Sequence, residues 1–376
     1  MKNYALKAAA LALTAGAAHA GGLDRSGTPI DPLFEKGNYA ELSFGYVIPD
    51  VTGTDVLGNR YSNVADNFAL FGGAIKMDVN DQLSFALIFD QPYGSDIVYG
   101  GNPAATMLGG TVAVADSNAI TGLVRYKFYD RFSVYGGPRL LKADGNITLS
   151  GLAYGALSGY NVDLGSDEGI DYVVGTAFEI PDIALRVSLT YHSPIDLKFS
   201  TTETFPAALL GGTVTGTTKS ELPQSLELSV QTGVAKDTLV FGSARWSDWS
   251  AFTVQPPGRT FGFGNLPGNL ASLDDSYSFE LGVGHRFTEK FSASIAGSLE
   301  LKGKDNLVSP LAPSNGRVAL TIGGKYKVND SVDISGGVRY TWLGKGLPET
   351  GTPDVQRGTF KSNTAISVGL KLGFHF

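Results

Sequence analysis

Apolar side chains alternate with polar or small ones along most of this chain, and the alternation runs longest at its end. From Asn363 to Phe376 the apolar set is Ile366, Val368, Leu370, Leu372, Phe374 and Phe376. Ala365, Ser367, Gly369, Lys371, Gly373 and His375 lie between them. A period of two is the strand period, since successive side chains point to opposite faces. Ordinary strands average about 5–6 residues, whereas a tilted strand crossing a bilayer needs about 9–11. The pattern therefore predicts the closing strand of a membrane barrel.

The same rhythm places thirteen strands before it. They are predicted at about 38–48, 67–79, 82–91, 115–129, 132–149, 157–180, 183–202, 214–235, 238–252, 276–287, 291–301, 316–328 and 331–342. Short turns fall at 80–81, 130–131, 181–182, 236–237, 288–290 and 329–330. Long connections fall at about 49–66, 92–114, 150–156, 203–213, 253–275, 302–315 and 343–362. Strict sorting of short and long connections is the habit of outer-membrane barrels, with turns in the periplasm and loops outside. The expected fold is an all-β, transmembrane antiparallel β-barrel of 14 strands in the bacterial outer membrane.

Two stretches alternate less cleanly, Phe68 to Gly73 and Leu83 to Phe89, where both faces carry apolar residues. Either the lumen is apolar there, or a bulge shifts the register by one.

Before the barrel, residues 1–20 read as a signal peptide. Lys2 and Lys7 give a basic start, an apolar run reaches Ala18, and Ala18-His19-Ala20 is a cleavage site. Residues 21–37 form a short N-terminal plug segment broken by Pro29 and Pro32, and residues 38–376 are the barrel. Taking Lys2 and Lys7 from the 29 basic residues leaves 27 against 36 acidic ones, a mature net charge of −9. Such a balance argues against nucleic acid as partner. With no cysteine, disulfides and thiolate metal sites are excluded.

Catalytic candidates are scarce. His192, His285 and His375 lie on separate strands without a partnering serine or aspartate, so no catalytic residue, metal site or cofactor is expected. Charges on polar strand faces are expected in the lumen, notably Arg125, Arg139, Arg186, Arg245, Arg339 and Glu227, joined by Arg286, Arg317, Glu41, Glu280 and Glu300. Opposite charges inside a barrel form a paired network that fills it. Two long loops are apolar, one with Leu152, Tyr154 and Leu157, the other with Phe205, Leu209 and Leu210. Apolar clusters at an outer rim suit a ligand groove or loops packed as a lid.

The run Glu221-Leu222-Pro223-Gln224-Ser225, followed by Trp246-Ser247-Asp248-Trp249-Ser250-Ala251-Phe252, resembles the outer-membrane long-chain fatty acid transporter family, FadL-type, with its aromatic-hydrocarbon relatives. Tyr191-His192-Ser193-Pro194-Ile195 and Ile322-Gly323-Gly324-Lys325-Tyr326 resemble further family segments. The resemblance implies passive uptake of hydrophobic small molecules, long-chain fatty acids first. It places the ligand groove between the third and fourth outer loops, here Leu152, Tyr154 and Leu157 facing Phe205, Leu209 and Leu210. It also implies a lateral exit near the third strand, at Gln91, Pro92 and Gly94. The family's plug is longer and carries Asn-Pro-Ala; the only such run here, Asn102-Pro103-Ala104, lies in an outer loop. Outer-membrane lipids and the barrel-assembly machinery, the latter through the strand ending in Phe376, complete the expected partners. A general diffusion porin with a charged aqueous lumen is the alternative.

Overall fold

The computed structural model describes residues 23–376 except 28, 210, 259–268, 272 and 352. The signal peptide and Leu210 lie outside the described residues.

Fourteen strands pair in sequence order, and the last pairs with the first. They are β1 (Tyr39–Asp50), β2 (Phe68–Asp78), β3 (Leu83–Asp90, resuming at Gly94–Val98), β4 (Val112–Phe128) and β5 (Phe132–Leu149). Next come β6 (Tyr160–Ile180), β7 (Leu185–His192, then Ile195–Phe205), β8 (Gly212–Leu222, then Ser225–Ala235) and β9 (Thr238–Ser247). β10 (Ser276–Arg286), β11 (Phe291–Glu300), β12 (Arg317–Lys327), β13 (Val332–Leu343) and β14 (Asn363–His375) complete the wall. β14 meets β1 along its length, from Tyr39–His375 to Asp50–Thr364. A hydrocarbon environment offers no hydrogen bonds to an open strand edge, so closure is obligatory.

The wall inverts the usual placement of apolar residues. Leu42, Phe44, Phe71, Ile75, Phe279, Leu281, Ile322 and Val338 face outward, and Leu281 is 67% exposed on the isolated chain. Lipid covers this face, while Ser335, Arg339, Ser367 and Thr121 are buried inside. Tight turns account for the short connections: Asp130 and Asp237 adopt positive φ (57° and 58°), which Asp tolerates better than most residues.

Three departures from the expected strands have physical causes. β3 does not stop at Gln91; it resumes at Gly94 with its partners on β4 shifted by one residue, from Asp90–Ala119 to Gly94–Asp116. β9 ends at Ser247 rather than Phe252, because Asp248 turns the chain and a single 3-10 turn (Trp249–Ala251) carries Trp249 into the interior. β7 and β8 each break at a proline, Pro194 and Pro223, which cannot donate to a ladder.

The doubtful stretches of β2 and β3 keep a clean alternation. Ala74, Ala86 and Ile88 point inward with Leu33, Leu123, Tyr135 and Val173 in one buried cluster. Leu33 belongs to a 3-10 turn (Asp31–Phe34) of the N-terminal segment, which lies inside the barrel. The inner wall is apolar there because that segment packs on it, and no register error exists.

Leu281→Arg places a charge on the lipid face in mid-strand and should cost about 2–4 kcal/mol. Reversible urea unfolding in phospholipid vesicles measures it; an unchanged midpoint would contradict the outward assignment.

Candidate functional site

Above the proline pair, the wall changes phase. Ser188, Thr190 and His192 are buried inside the lower part of β7, whereas Ile195, Leu197 and Phe199 are buried in its upper part. The outward residues switch correspondingly, from Leu189 to Asp196, Lys198 and Ser200. β8 does the same, with Ser225 inward below Pro223 and Leu222, Ser220 and Thr218 inward above it. β6 follows, inward at Asp171 and Val173 but at Val162 and Leu164 higher up. One extra residue of β6 between Asp167 and Leu164, opposite Ala143 and Gly145 of β5, absorbs the step, and β5 keeps its own alternation.

Local hydrogen bonds hold the strands through the flip. Ser193 donates its N–H to the Tyr172 carbonyl and accepts the Tyr172 N–H on Oγ, both at 3.0 Å. Asp248 donates its N–H to the Gln224 carbonyl, and the Gln224 amide returns a bond to Asp248 Oδ2, both at 3.0 Å. The result is a polar lumen at membrane depth beneath an apolar chamber. Water outside the upper strands demands polar outer faces, so their apolar faces turn in.

The chamber holds a cavity of about 90 Å³, walled by Tyr93, Leu197, Phe199, Leu222, Val254 and Leu311 among others. Its charged lining residues, among those described, are Asp116 and Asp144. Trp249, fully buried, stacks edge-on against Tyr93 and Phe252, each at 5.7 Å, and donates Nε1–H to Asp24 at 3.1 Å.

Of the apolar loop residues, Phe205 is buried in the chamber cluster, and Tyr154, Leu157 and Leu209 pack against it. The two loops also touch each other. Leu152 stands apart, 46% exposed. Burial raises the Tyr154 hydroxyl above the ordinary phenol range, so it stays neutral. Ile195, Leu197, Phe199 and Leu222 were not among the sequence candidates: they keep the apolar parity of Leu189 and Leu226 across the two prolines, so the alternation alone gives no sign that the face has switched.

The lumen charges form pairs. Arg139 bridges Asp171 through Nε and Nη2, down to 2.6 Å, with both side chains 0% exposed. Arg125 meets Glu179 and Ser133, and Arg186 meets Asp31 at 2.8 Å. Arg245 donates to the Gly27 carbonyl at 2.6 Å and lies near Asp24 and Glu227, at 3.7 and 3.9 Å. Arg339 sits 3.9 Å from Glu280, and Arg317 pairs Glu300 at 3.2 Å. Arg286 pairs with Asp237 at the turn end of the barrel. Arg186, Arg245, Arg317 and Arg339, with Glu227, Glu280 and Glu300, enclose a polar cavity of about 190 Å³ against Ser26, Gly27 and Ile30 of the N-terminal segment. His192 faces this lumen, His285 bonds Thr238 on the outer face, and His375 bonds Asp333.

The wall thins at the third strand. The β2–β3 ladder ends at Gly73–Phe89, and contact resumes only where the Asp66 N–H reaches the Asp96 carbonyl (3.0 Å) and Ala65 bridges Ile97. Gln91 straps the interval, its Oε1 accepting the Phe71 N–H at 2.8 Å and its amide donating to Asn118 at 3.2 Å. On the inside, Arg25 N–H donates to the Pro92 carbonyl (2.7 Å), and Gly94 N–H to the Leu23 carbonyl (2.8 Å). Gln91, Pro92 and Gly94 thus share one break in the wall, and Gly94 also borders the chamber cavity.

Comparison with known proteins bears on these features. Residues 36–355 match the model of a family described as outer membrane protein transport protein (OMPP1/FadL/TodX). No curated protein matches the sequence. A FadL homologue from Pseudomonas aeruginosa superposes with a TM-score of 0.72 at 14% identity, over 93% of this chain and 92% of that one. The Pseudomonas putida toluene transporter TodX gives 0.65 at 13%, over 96% and 98%. The Ralstonia pickettii toluene transporter TbuX gives 0.62 at 14%, over 96% and 97%. At these identities the likeness is one of fold.

Asp171→Ala strands the Arg139 charge in the interior and should destabilise the barrel by about 3–5 kcal/mol. Arg139→Met with Asp171→Leu should recover most of that loss in the same unfolding assay.

Proposed function

Since the chain belongs to the OMPP1/FadL/TodX family of outer-membrane transport proteins, we propose that it carries uncharged hydrophobic small molecules passively inward across the bacterial outer membrane. In this reading cargo is captured between the two apolar loops, dwells in the chamber, and leaves sideways through the break beside Gly94. The family is one of transport channels rather than enzymes.

The observation that carries the choice of cargo is the chamber lining. Its large side chains are apolar, its buried polar ones are hydroxyls such as those of Ser117 and Ser220, and Asp116 and Asp144 lie on outward-facing positions. No cation lines it among the described residues, and the neighbouring guanidinium of Arg25 is already committed to Asp96 and Asp116. A fatty-acid carboxylate there would be desolvated with no cation to pair with it, at a cost of several kcal/mol. An uncharged ring meets no such penalty, and each buried CH₂ equivalent contributes about 0.8 kcal/mol. At about 90 Å³ the cavity is smaller than the roughly 150 Å³ apolar cavity that takes up benzene, and so is nearer in size to one small ring than to a long acyl chain. The toluene transporters TodX and TbuX share the fold.

Long-chain fatty acids are the second reading, supported by the FadL homologue among the similar structures. A general diffusion porin is not favoured, because the N-terminal segment occupies the lumen and binds its charges.

Cells expressing the protein should accumulate radiolabelled toluene faster than oleate, each relative to cells lacking it, and planar bilayers should carry little steady current. Faster oleate uptake would transfer the assignment to fatty acids; a large steady current would revive the porin. Leu209→Asp should lower toluene uptake severalfold by charging the loop contact, and normal uptake would remove the loops from the route.

A further inference from the structure

Arg25 occupies the break in the wall. Residues 67–72 of the β2 side and 90–95 of the β3 side lack a ladder between them, and the one direct hydrogen bond across, among the described residues, is the Phe71–Gln91 strap. The Arg25 guanidinium fills this interval. Its Nη2 meets Asp96 Oδ2 on β3, its Nη1 meets Asp116 Oδ1 on β4 at 3.2 Å, and its Cζ lies 4.3 Å from the centre of the Phe68 ring. The Asp116 side chain is 57% exposed, whereas that of Arg25 is 7% exposed, so a buried cation reaches a carboxylate accessible from outside the wall.

The fit is close. A methyl group on Gly94 would fall 2.2 Å from Arg25 Cζ, so only glycine at this position leaves room for the guanidinium. The chamber cavity and a second cavity of about 140 Å³ on the β1–β2 side share Leu23, Gly94, Ser95, Leu311 and Ala312 as walls. Arg25 and Phe68 line the second cavity and do not line the first. Two spaces that would otherwise communicate therefore meet at the backbone to which Arg25 is bonded.

The geometry points to Arg25 as the latch of this opening: a guanidinium held by Asp96, Asp116 and the face of Phe68 closes the path between the chamber and the outside of the wall. This rests on the lateral route proposed above. A planar, permanently charged fork suits the task, since it satisfies two carboxylates at once and stacks on an aromatic ring. An apolar stopper would be exchanged freely with apolar cargo; the ion pairs give closure its own free energy. Cargo entering the chamber presses on Leu23, two residues from Arg25 and hydrogen-bonded to Gly94, which couples occupancy to withdrawal of the latch.

Two substitutions test the latch from opposite sides. Arg25→Ala removes it, and Gly94→Ala expels it while leaving the arginine in the chain. Both should raise toluene uptake into cells roughly tenfold, the equivalent of about 1.4 kcal/mol of lost closing free energy. The protein has no native cysteine, so Ser95→Cys provides a readout independent of transport. A lipid-soluble maleimide should label it slowly beside Arg25 and severalfold faster in the Arg25→Ala background. Unchanged or slower uptake in both variants, with wild-type uptake intact, overturns the latch, as does equal labelling in the two backgrounds. Wild-type uptake no greater than that of empty cells would sink the transport reading instead, with the labelling still deciding whether Arg25 closes the wall.

Discussion

Closure of the sheet is the constraint on which everything else here depends. Inside a bilayer each backbone N–H and C=O must find its partner within the protein, because lipid supplies none. Pairing of β14 with β1 over twelve consecutive residue pairs removes the last edge. Once the wall is closed, its outer face has to be apolar at membrane depth. The inner face is then free to hold charges, provided they are paired. Arg139 with Asp171 and Arg317 with Glu300 meet that condition.

Above the membrane the same logic runs in reverse. Water bathes the outside of upper β6, β7 and β8, so their outer faces carry Asp196, Lys198 and Glu221, and apolar residues turn inward. Pro194 and Pro223 stand opposite each other in the β7–β8 register, between Ile195–Leu222 and His192–Ser225. Both strands therefore lose a donor at one level and can rotate together without slipping. One pair of prolines thereby separates a polar lumen from an apolar chamber, and the bulge on β6, opposite Ala143–Gly145 of β5, confines the disturbance to three strands.

The N-terminal segment joins these two storeys. Its Leu33 fills the apolar side of the lumen, Gly27 and Asp31 engage Arg245 and Arg186, and Asp24 meets Trp249 beneath the chamber. Leu23 and Arg25 pair with the interrupted third strand. The segment ties the storeys together because it touches each through a few buried, directional bonds.

The sequence by itself determined the strand number, the sorting of turns from loops and the closing strand, because a two-residue period and turn chemistry are local properties. It also named the charges that line the lumen, since parity along one strand assigns them to one face. Most of the apolar loop residues fell in the chamber cluster for a similar reason, being apolar where water would otherwise meet them. Tertiary structure alone decided the rest. Leu197 and Phe199 look like outward residues until the flip at Pro194 is seen, and the apolar inner face of β2 and β3 makes sense only with Leu33 against it. Arg25 carries no local pattern at all; its role comes from Asp96, Asp116, Phe68 and Gly94, which are brought to it from strands 43 to 91 residues away. Periodicity records which way a side chain points, whereas what it meets depends on which strands closure brings alongside.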